Sequence, residues 1–246
     1  MRPVFRPECS SRPWSWLARA LGPHSWPRRH PWRLLAGVLF VLAAVPGIDL
    51  GLAALFFDPG RGGFVPSGDP LARFVIKGVP LLVYGTLLYM ALVLVAGRVL
   101  ALEGTGRLAR PLAYLVTSLL VGPGVLVNLV FKEHWGRARP RDLIAFGGDA
   151  VFTPVLLASN HCDSNCSFPS GHAALGFWTT ALALLVSGPW RPWAVAGALV
   201  FGALVGLSRM SVGAHFFSDT LVSGVLVVSL NVVLYRWMIE GRRPGR

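Results

Sequence analysis

The sequence predicts an all-α fold, a bundle of six transmembrane helices with its active site at the extracytoplasmic helix ends. Three observations predict it. Of 246 residues, 54% are hydrophobic and 14% charged, whereas soluble domains carry about 25% charged residues. Six apolar runs, near 34–56, 79–101, 111–131, 172–188, 192–207 and 219–238, reach or approach the length that crosses a bilayer, about 20 residues. Between Lys132 and Asp219 the polar residues collect at the ends of these runs.

Residues 1–33 read as a basic and aromatic cytoplasmic arm, with Arg2, Arg6, Arg12, Arg19, Arg28, Arg29 and Arg33 interleaved with Trp14, Trp16, Trp26 and Trp32. Such an arm suits an anionic membrane surface, where each basic residue contributes roughly 1 kcal/mol and indoles favour the interface. A leader that merely fixes orientation reads the same way. Arg28-Arg29 invites comparison with a twin-arginine signal. Further spans follow, no small-residue cleavage site stands out and Pro31 intervenes, so the expectation is a retained first helix. Residues 34–238 form the membrane domain and 239–246 a basic cytoplasmic tail. Gly122-Pro123-Gly124 is expected to kink the third helix, and Gly188-Pro189-Trp190-Arg191-Pro192 to turn between the fourth and fifth.

The chain carries 23 Lys and Arg against 11 Asp and Glu, a formal charge of +12. Nucleic acid is excluded as a partner, because the basic residues lie between apolar runs and form no continuous basic helix or aromatic sheet. Anionic lipid or an anionic substrate remains. Counted on alternate sides with the amino terminus inside, 15 basic residues fall inside and 8 outside. The positive-inside rule then sets both termini in the cytoplasm and the Lys132–Asp219 pieces on the outer face. Cys162 and Cys166 consequently fall in an exported loop, either as a disulfide bracing the segment before Ser170 and Gly171 or as free thiols. A metal site there lacks a fourth ligand.

The three pieces suit phosphoryl chemistry, where catalysis is mostly positioning and charge stabilisation. Lys132 brings a compact ammonium, and Arg139 and Arg209 bring flat forks for two oxygens at once. Each alone also reads as a snorkelling cation. Pro169-Ser170-Gly171-His172 opens the fourth helix, whose unpaired N–H groups form an anion site, or else Ser170 is only its cap. His215 and Asp219 share a helical face, so the carboxylate can fix the imidazole tautomer and leave the other nitrogen nucleophilic. Asp219 also reads as a helix-capping acid.

Lys132, six residues, Arg139-Pro140; Pro169-Ser170-Gly171-His172; and Ser208-Arg209, five residues, His215, three residues, Asp219 resemble, in order and spacing, the signature of the type 2 phosphatidic acid phosphatase superfamily. The resemblance implies phosphate binding by Lys132, Arg139, Arg209, Ser170 and the Gly171 backbone. It implies His172 as general acid, His215 as nucleophile and Asp219 as its orienting partner. It further implies a metal-independent hydrolase, without cofactor, acting on lipid phosphomonoesters or pyrophosphates. Phe131–Arg137 and Cys162–Phe168 are similar to bacterial inner-membrane enzymes that dephosphorylate lipid A or phosphatidylglycerophosphate. An undecaprenyl pyrophosphate phosphatase or a lipid phosphotransferase would use the same residues. An anion transporter would place charges near mid-membrane in two matching halves, and here they gather at the outer ends.

Three features stay outside this assignment. His134 and His161 read as interfacial histidines. Asp49, late in the first apolar run, reads as a group at the outer interface, although an ionisable residue there is costly. Val151–Leu157 reads as a lid dipping into lipid or as packed loop.

Overall fold

The computed structural model describes residues 31–66, 68–101 and 105–241. The expected arm before residue 31 and the tail beyond 241 lie outside the described residues. The described residues are mainly helical and contain no strand beyond isolated bridges joining Asp58 to Gly63 and Leu143 to Ala150. The helices are α1 (Pro31–Ala44), α2 (Gly47–Ala54), α3 (Pro70–Val99), α4 (Gly106–Lys132), α5 (Gly171–Leu185), α6 (Arg191–Ser211) and α7 (Phe217–Tyr235, continuing to Glu240). From Leu42 onward the chain forms one contact unit.

Five of the six expected apolar runs each fall on one of these helices, whereas the first, 34–56, is split between α1 and α2. Four are long and apolar enough to cross a membrane: α3, α4, α6 with its lead-in from Gly188, and α7 through Glu240. Ala36–Leu42 and Gly47–Ala54 meet the criterion only as an interrupted pair, and α5 is a shorter apolar helix. The chain is therefore a multi-pass membrane protein. Helix α3 presents Leu81, Leu88, Leu92 and Val95 outward, as a lipid-facing helix does.

Local chemistry explains where the helices differ from expectation. Helix α3 starts at Pro70 and not at 79, because Asp69 accepts from the Leu71 and Ala72 N–H groups at 2.9 and 3.3 Å and Pro70 suits the first turn. Helix α6 runs on to Ser211, so Arg209 lies in its last turn and does not follow it. In α4 the expected kink takes the form of π-helical winding from Leu120 to Lys132 around Pro123, which has no N–H to donate. Asn128 Nδ2 donates to the Pro123 carbonyl at 2.6 Å and satisfies one group the wider turn leaves open.

Helix α5 is the centre of the bundle, packed chiefly on α6 and α7 and also on α3 and α4. Its Ala173, Ala174, Phe177, Trp178 and Ala181 meet Val83, Tyr114, Leu115, Val127 and Val227 in the main core. Small residues bring the backbones close, as is usual between membrane helices. A Cβ on Gly176 would stand 3.0 Å from the Gly202 Cα of α6. Buried polar groups pair across helices: Trp178 Nε1 donates to Ser118 Oγ at 2.9 Å, and Asn231 Nδ2 to Thr180 Oγ1 at 2.8 Å.

Candidate active site

The end of α4, the start of α5, the end of α6 and the start of α7 meet at one end of the bundle. Lys132 is the last residue of the π-helical stretch, and its Nζ lies 3.7 Å from where a Gly171 Cβ would stand. The Ser170 N–H donates to the Asp219 carbonyl at 3.3 Å, and the Arg141 N–H to the Gly213 carbonyl at 3.1 Å. The three motifs thus form one site, and Lys132, Arg139, Ser170, Arg209, His215 and Asp219 are all buried in it.

The loop after α4 is shaped by Gly136. Its φ of +63° belongs to the left-handed region, and any Cβ there would overlap the Ser159 carbonyl. The Ser159 N–H donates to the Trp135 carbonyl at 2.9 Å, and Ser159 Oγ to the Gly136 carbonyl at 2.7 Å. This crossing aims Arg137 and Arg139 inward. Gly136→Ala is therefore expected to destabilise the protein by about 2 kcal/mol or more, measured as thermal unfolding in detergent, with activity lost alongside.

The cationic side chains Lys132, Arg139 and Arg209 are all buried at this end of the bundle. Arg209 Nε and Nη1 are buried and have no hydrogen-bond partner among the described residues. Buried donors ordinarily find partners, and a guanidinium edge presents two parallel N–H groups to two oxygens. Arg139 Nη2 donates to the Asn165 carbonyl at 2.5 Å, which holds its fork in place. Burial pushes the Arg139 pKa down, with Arg141 adding to the effect and Asp142 and Asp219 opposing it; a guanidinium remains charged regardless. Ser170 Oγ caps α5 by accepting from the Ala173 N–H at 3.4 Å. Its oxygen serves the helix. A Gly171 Cβ would stand 3.0 Å from Asn128 Oδ1, so a side chain would crowd the unpaired N–H groups at the helix start.

His215 sits in the tight α6–α7 connection, closed by Ala214 N–H to the Arg209 carbonyl at 3.0 Å. Its Nδ1 lies 2.6 Å from the Ser167 carbonyl. A carbonyl only accepts, so Nδ1 carries the proton and Nε2 keeps its lone pair. Burial, reinforced by Lys132, Arg139 and Arg209, holds the His215 pKa well below the usual histidine value. The ring is neutral at pH 7.

Asp219 differs from its expected part as direct hydrogen-bond partner of His215. Its Oδ2 stands 3.9 Å from Nδ1, an ion-pair distance only. The carboxylate is already occupied: Arg137 Nη1 donates to Oδ1 at 2.6 Å, and Ser167 Oγ and the Phe216 N–H donate to Oδ2 at 2.5 and 2.8 Å. Asp219 therefore reaches the ring through Ser167, which gives its hydroxyl proton to the carboxylate and accepts from His215 at its carbonyl. His172, half-buried at the start of α5, has Nε2 3.4 Å from the Ile76 carbonyl of α3.

The structure also brings in residues that sequence reasoning left aside. Arg137, counted from sequence as an outer loop charge, is completely buried, and Asp49, assigned to the outer interface, is 2% exposed. They pair at 2.9 Å. An ionisable residue inside an apolar run was the available signal for Asp49; nothing marked Ser167. His134 and His161 are exposed and take no part, His134 Nδ1 lying 2.9 Å from the Val130 carbonyl one turn back. Cys162 and Cys166 stand within bridging reach, their Cα atoms 5.6 Å apart. The Val151–Leu157 segment is tied down by Arg137 Nε to the Thr153 carbonyl and Trp135 Nε1 to the Val155 carbonyl, and exposes Val151, Leu156 and Leu157.

Comparison with known proteins places this site in context. The model of the PAP2 superfamily matches residues 111–243. A lipid A 4'-phosphatase of Francisella tularensis subsp. novicida is 44% identical over 126 residues, 51% of this chain and 57% of that protein. Lipid A 4'-phosphatases of Rhizobium leguminosarum and Rhizobium etli are 34% and 32% identical, over 78% and 76% of this chain and 85% and 76% of their own lengths. The crystal structure of a transmembrane PAP2-type phosphatidylglycerolphosphate phosphatase from Bacillus subtilis superposes with a TM-score of 0.51 at 23% identity. It covers 86% of this chain and 97% of that one, a likeness of fold.

Proposed function

The chain belongs to the PAP2 superfamily and is a membrane lipid phosphatase, and we propose that it hydrolyses a phosphomonoester of lipid A at the periplasmic face of the inner membrane through a phosphohistidine intermediate. The observation that carries the mechanism is His215, with Nδ1 held by the Ser167 carbonyl and the lone pair of Nε2 left free among three buried cations. The phosphoryl oxygens lie against Lys132, Arg139, Arg209, Ser170 and the α5 amino terminus. Nε2 of His215 attacks phosphorus, the ester P–O bond breaks, and His172 gives its proton to the departing sugar oxygen. Water then attacks phosphorus, its proton passes to His172, and the N–P bond breaks to release phosphate. During the intermediate the ring is cationic, and the Asp219 carboxylate offsets that charge across 3.9 Å.

Topology follows the charge count. Six crossings, one for each apolar run with α5 as the short fourth, leave both termini in the cytoplasm and the site outside. Acyl chains then stay in the bilayer while the headgroup enters between helix ends, and the basic arm rests on the anionic inner leaflet. Lipid A is favoured by the names of the three relatives. The test is phosphate release by the detergent-purified protein from lipid A, phosphatidylglycerophosphate, phosphatidic acid and undecaprenyl pyrophosphate, with chelator present. Release is expected to be fastest from lipid A and unchanged by chelation. Preference for another lipid would overturn the substrate, and loss with chelator the metal-free chemistry.

Two further outcomes follow. Protonation silences the His215 nucleophile, and its depressed pKa moves that event to lower pH. The acid limb of kcat/KM attributable to His215 is therefore expected below the ordinary histidine value of about 6.5; a limb above it would contradict a neutral buried ring. Cys162 and Cys166 are expected to form a disulfide in the exported loop, so both take up a thiol reagent only after reduction.

A further inference from the structure

Arg137 is a guanidinium with no exposure, and it contacts two residues next to His215, Asp219 and Ser167. Nη1 donates to Asp219 Oδ1 at 2.6 Å and to Ser218 Oγ at 2.8 Å. Nη2 donates to Asp49 Oδ2 at 2.9 Å, and Nε to the Thr153 carbonyl at 2.8 Å. The plane is stacked on Phe216, with Cζ 4.3 Å from the ring centroid. Its own carbonyl accepts from the Ser167 N–H at 2.8 Å, and Ser167 is the residue whose carbonyl holds His215. Arg137 thus fixes Ser167 directly and, through Asp219 Oδ1, fixes the carboxylate that holds the Ser167 hydroxyl.

Asp49 completes the arrangement from α2. Oδ1 accepts from the Ser218 N–H at 2.9 Å, and Oδ2 from Ser218 Oγ at 2.5 Å. It therefore ties α2 to the first turn of α7, where Asp219 resides. One buried guanidinium is shared between two buried carboxylates, and Asp219 Oδ2 stands 3.9 Å from Nδ1 of the ring that becomes cationic in the intermediate. Arg137 lies between Lys132 and Arg139 in the first motif, but neither it nor Asp49 is among the residues assigned to phosphate binding or to the reaction.

We propose that Arg137 and Asp49 are positioning residues for catalysis: a buried ion-pair clamp that sets the Ser167–Asp219 support on which the His215 nucleophile is aimed. This rests on the phosphatase reading of the site. The clamp touches the nucleophile's support and none of the groups assigned to phosphate, so its loss should appear in kcat and leave KM nearly unchanged. Misplacing a reacting atom by about 1 Å costs ~10²-fold.

The test uses full-length enzyme in detergent and compares Arg137→Lys, Arg137→Gln, Asp49→Asn and the Arg137→Gln/Asp49→Asn double variant, each checked for thermal unfolding. Asp49→Asn keeps shape and stays informative where loss of Arg137 prevents folding. Folded variants are expected to lose kcat, ~10²-fold for Arg137→Gln and less for Arg137→Lys, with KM within about threefold. The double variant, which removes one charge of each sign, is expected to fall less than the two single losses multiplied. Wild-type kcat in folded Asp49→Asn and Arg137→Lys would overturn the proposal, as would activity that declines only in step with folded protein. An inactive wild type would instead overturn the phosphatase reading, and the clamp with it.

Discussion

Replacing His215 with glutamine is expected to lower phosphate release by on the order of 10⁴-fold or more, as loss of a covalent nucleophile does elsewhere. The size follows from the ring's setting. In the proposed mechanism three cations and the α5 amino terminus hold the phosphoryl group at Nε2. Glutamine fills similar volume and its amide N–H can still reach the Ser167 carbonyl, so the fold and the three cations survive. Substrate is then expected to bind with little change while turnover stops. A folded His215→Gln protein that retained a tenth of wild-type turnover would remove His215 from the reaction. Measured kcat and KM on lipid A decide it.

Arg209→Lys is expected to cost ~10²- to 10³-fold in kcat/KM, comparable to removing a preorganised donor from an oxyanion site. The substitution keeps the charge and so isolates geometry. Two of the buried guanidinium's nitrogens, Nε and Nη1, lack partners among the described residues, and a planar fork can meet two phosphoryl oxygens together. An ammonium is a point charge that meets one oxygen at a time and is more strongly hydrated. Arg209→Ala is expected to be worse, because it also leaves a void in a site closed by the α6 turn. Near-normal kcat/KM for Arg209→Lys would mean that charge alone matters and that the fork has no function.

The parts of this protein legible in its sequence are those encoded by spacing. Six apolar runs mark where helices lie, because bilayer thickness fixes their length, and the order of Lys132, Arg139, Ser170, Gly171, His172, Arg209, His215 and Asp219 marks the site. What was hidden depends on pairing between distant positions or on backbone atoms. Asp49 meets Ser218 across 169 positions and Arg137 across 88, and no local pattern links them. The orienting group on His215 is the Ser167 carbonyl, an atom every residue possesses. Asp219 lay at helical spacing from His215, yet spacing could not show that Arg137, Ser167 and Phe216 already occupy its oxygens. The early start of α3 is a different case. Asp69-Pro70 is a readable cap, but it lies ahead of the apolar run that begins at 79.

The proposed mechanism stands on a covalent bond between phosphorus and His215. Turnover of lipid A carrying labelled phosphate, quenched within milliseconds and analysed for protein-bound label, tests it most directly. Label that is stable in alkali, lost in acid, located on the peptide containing His215 and absent from His215→Gln is the expected result. Turnover with no protein-bound label at any quench time, or label on another residue, would contradict it.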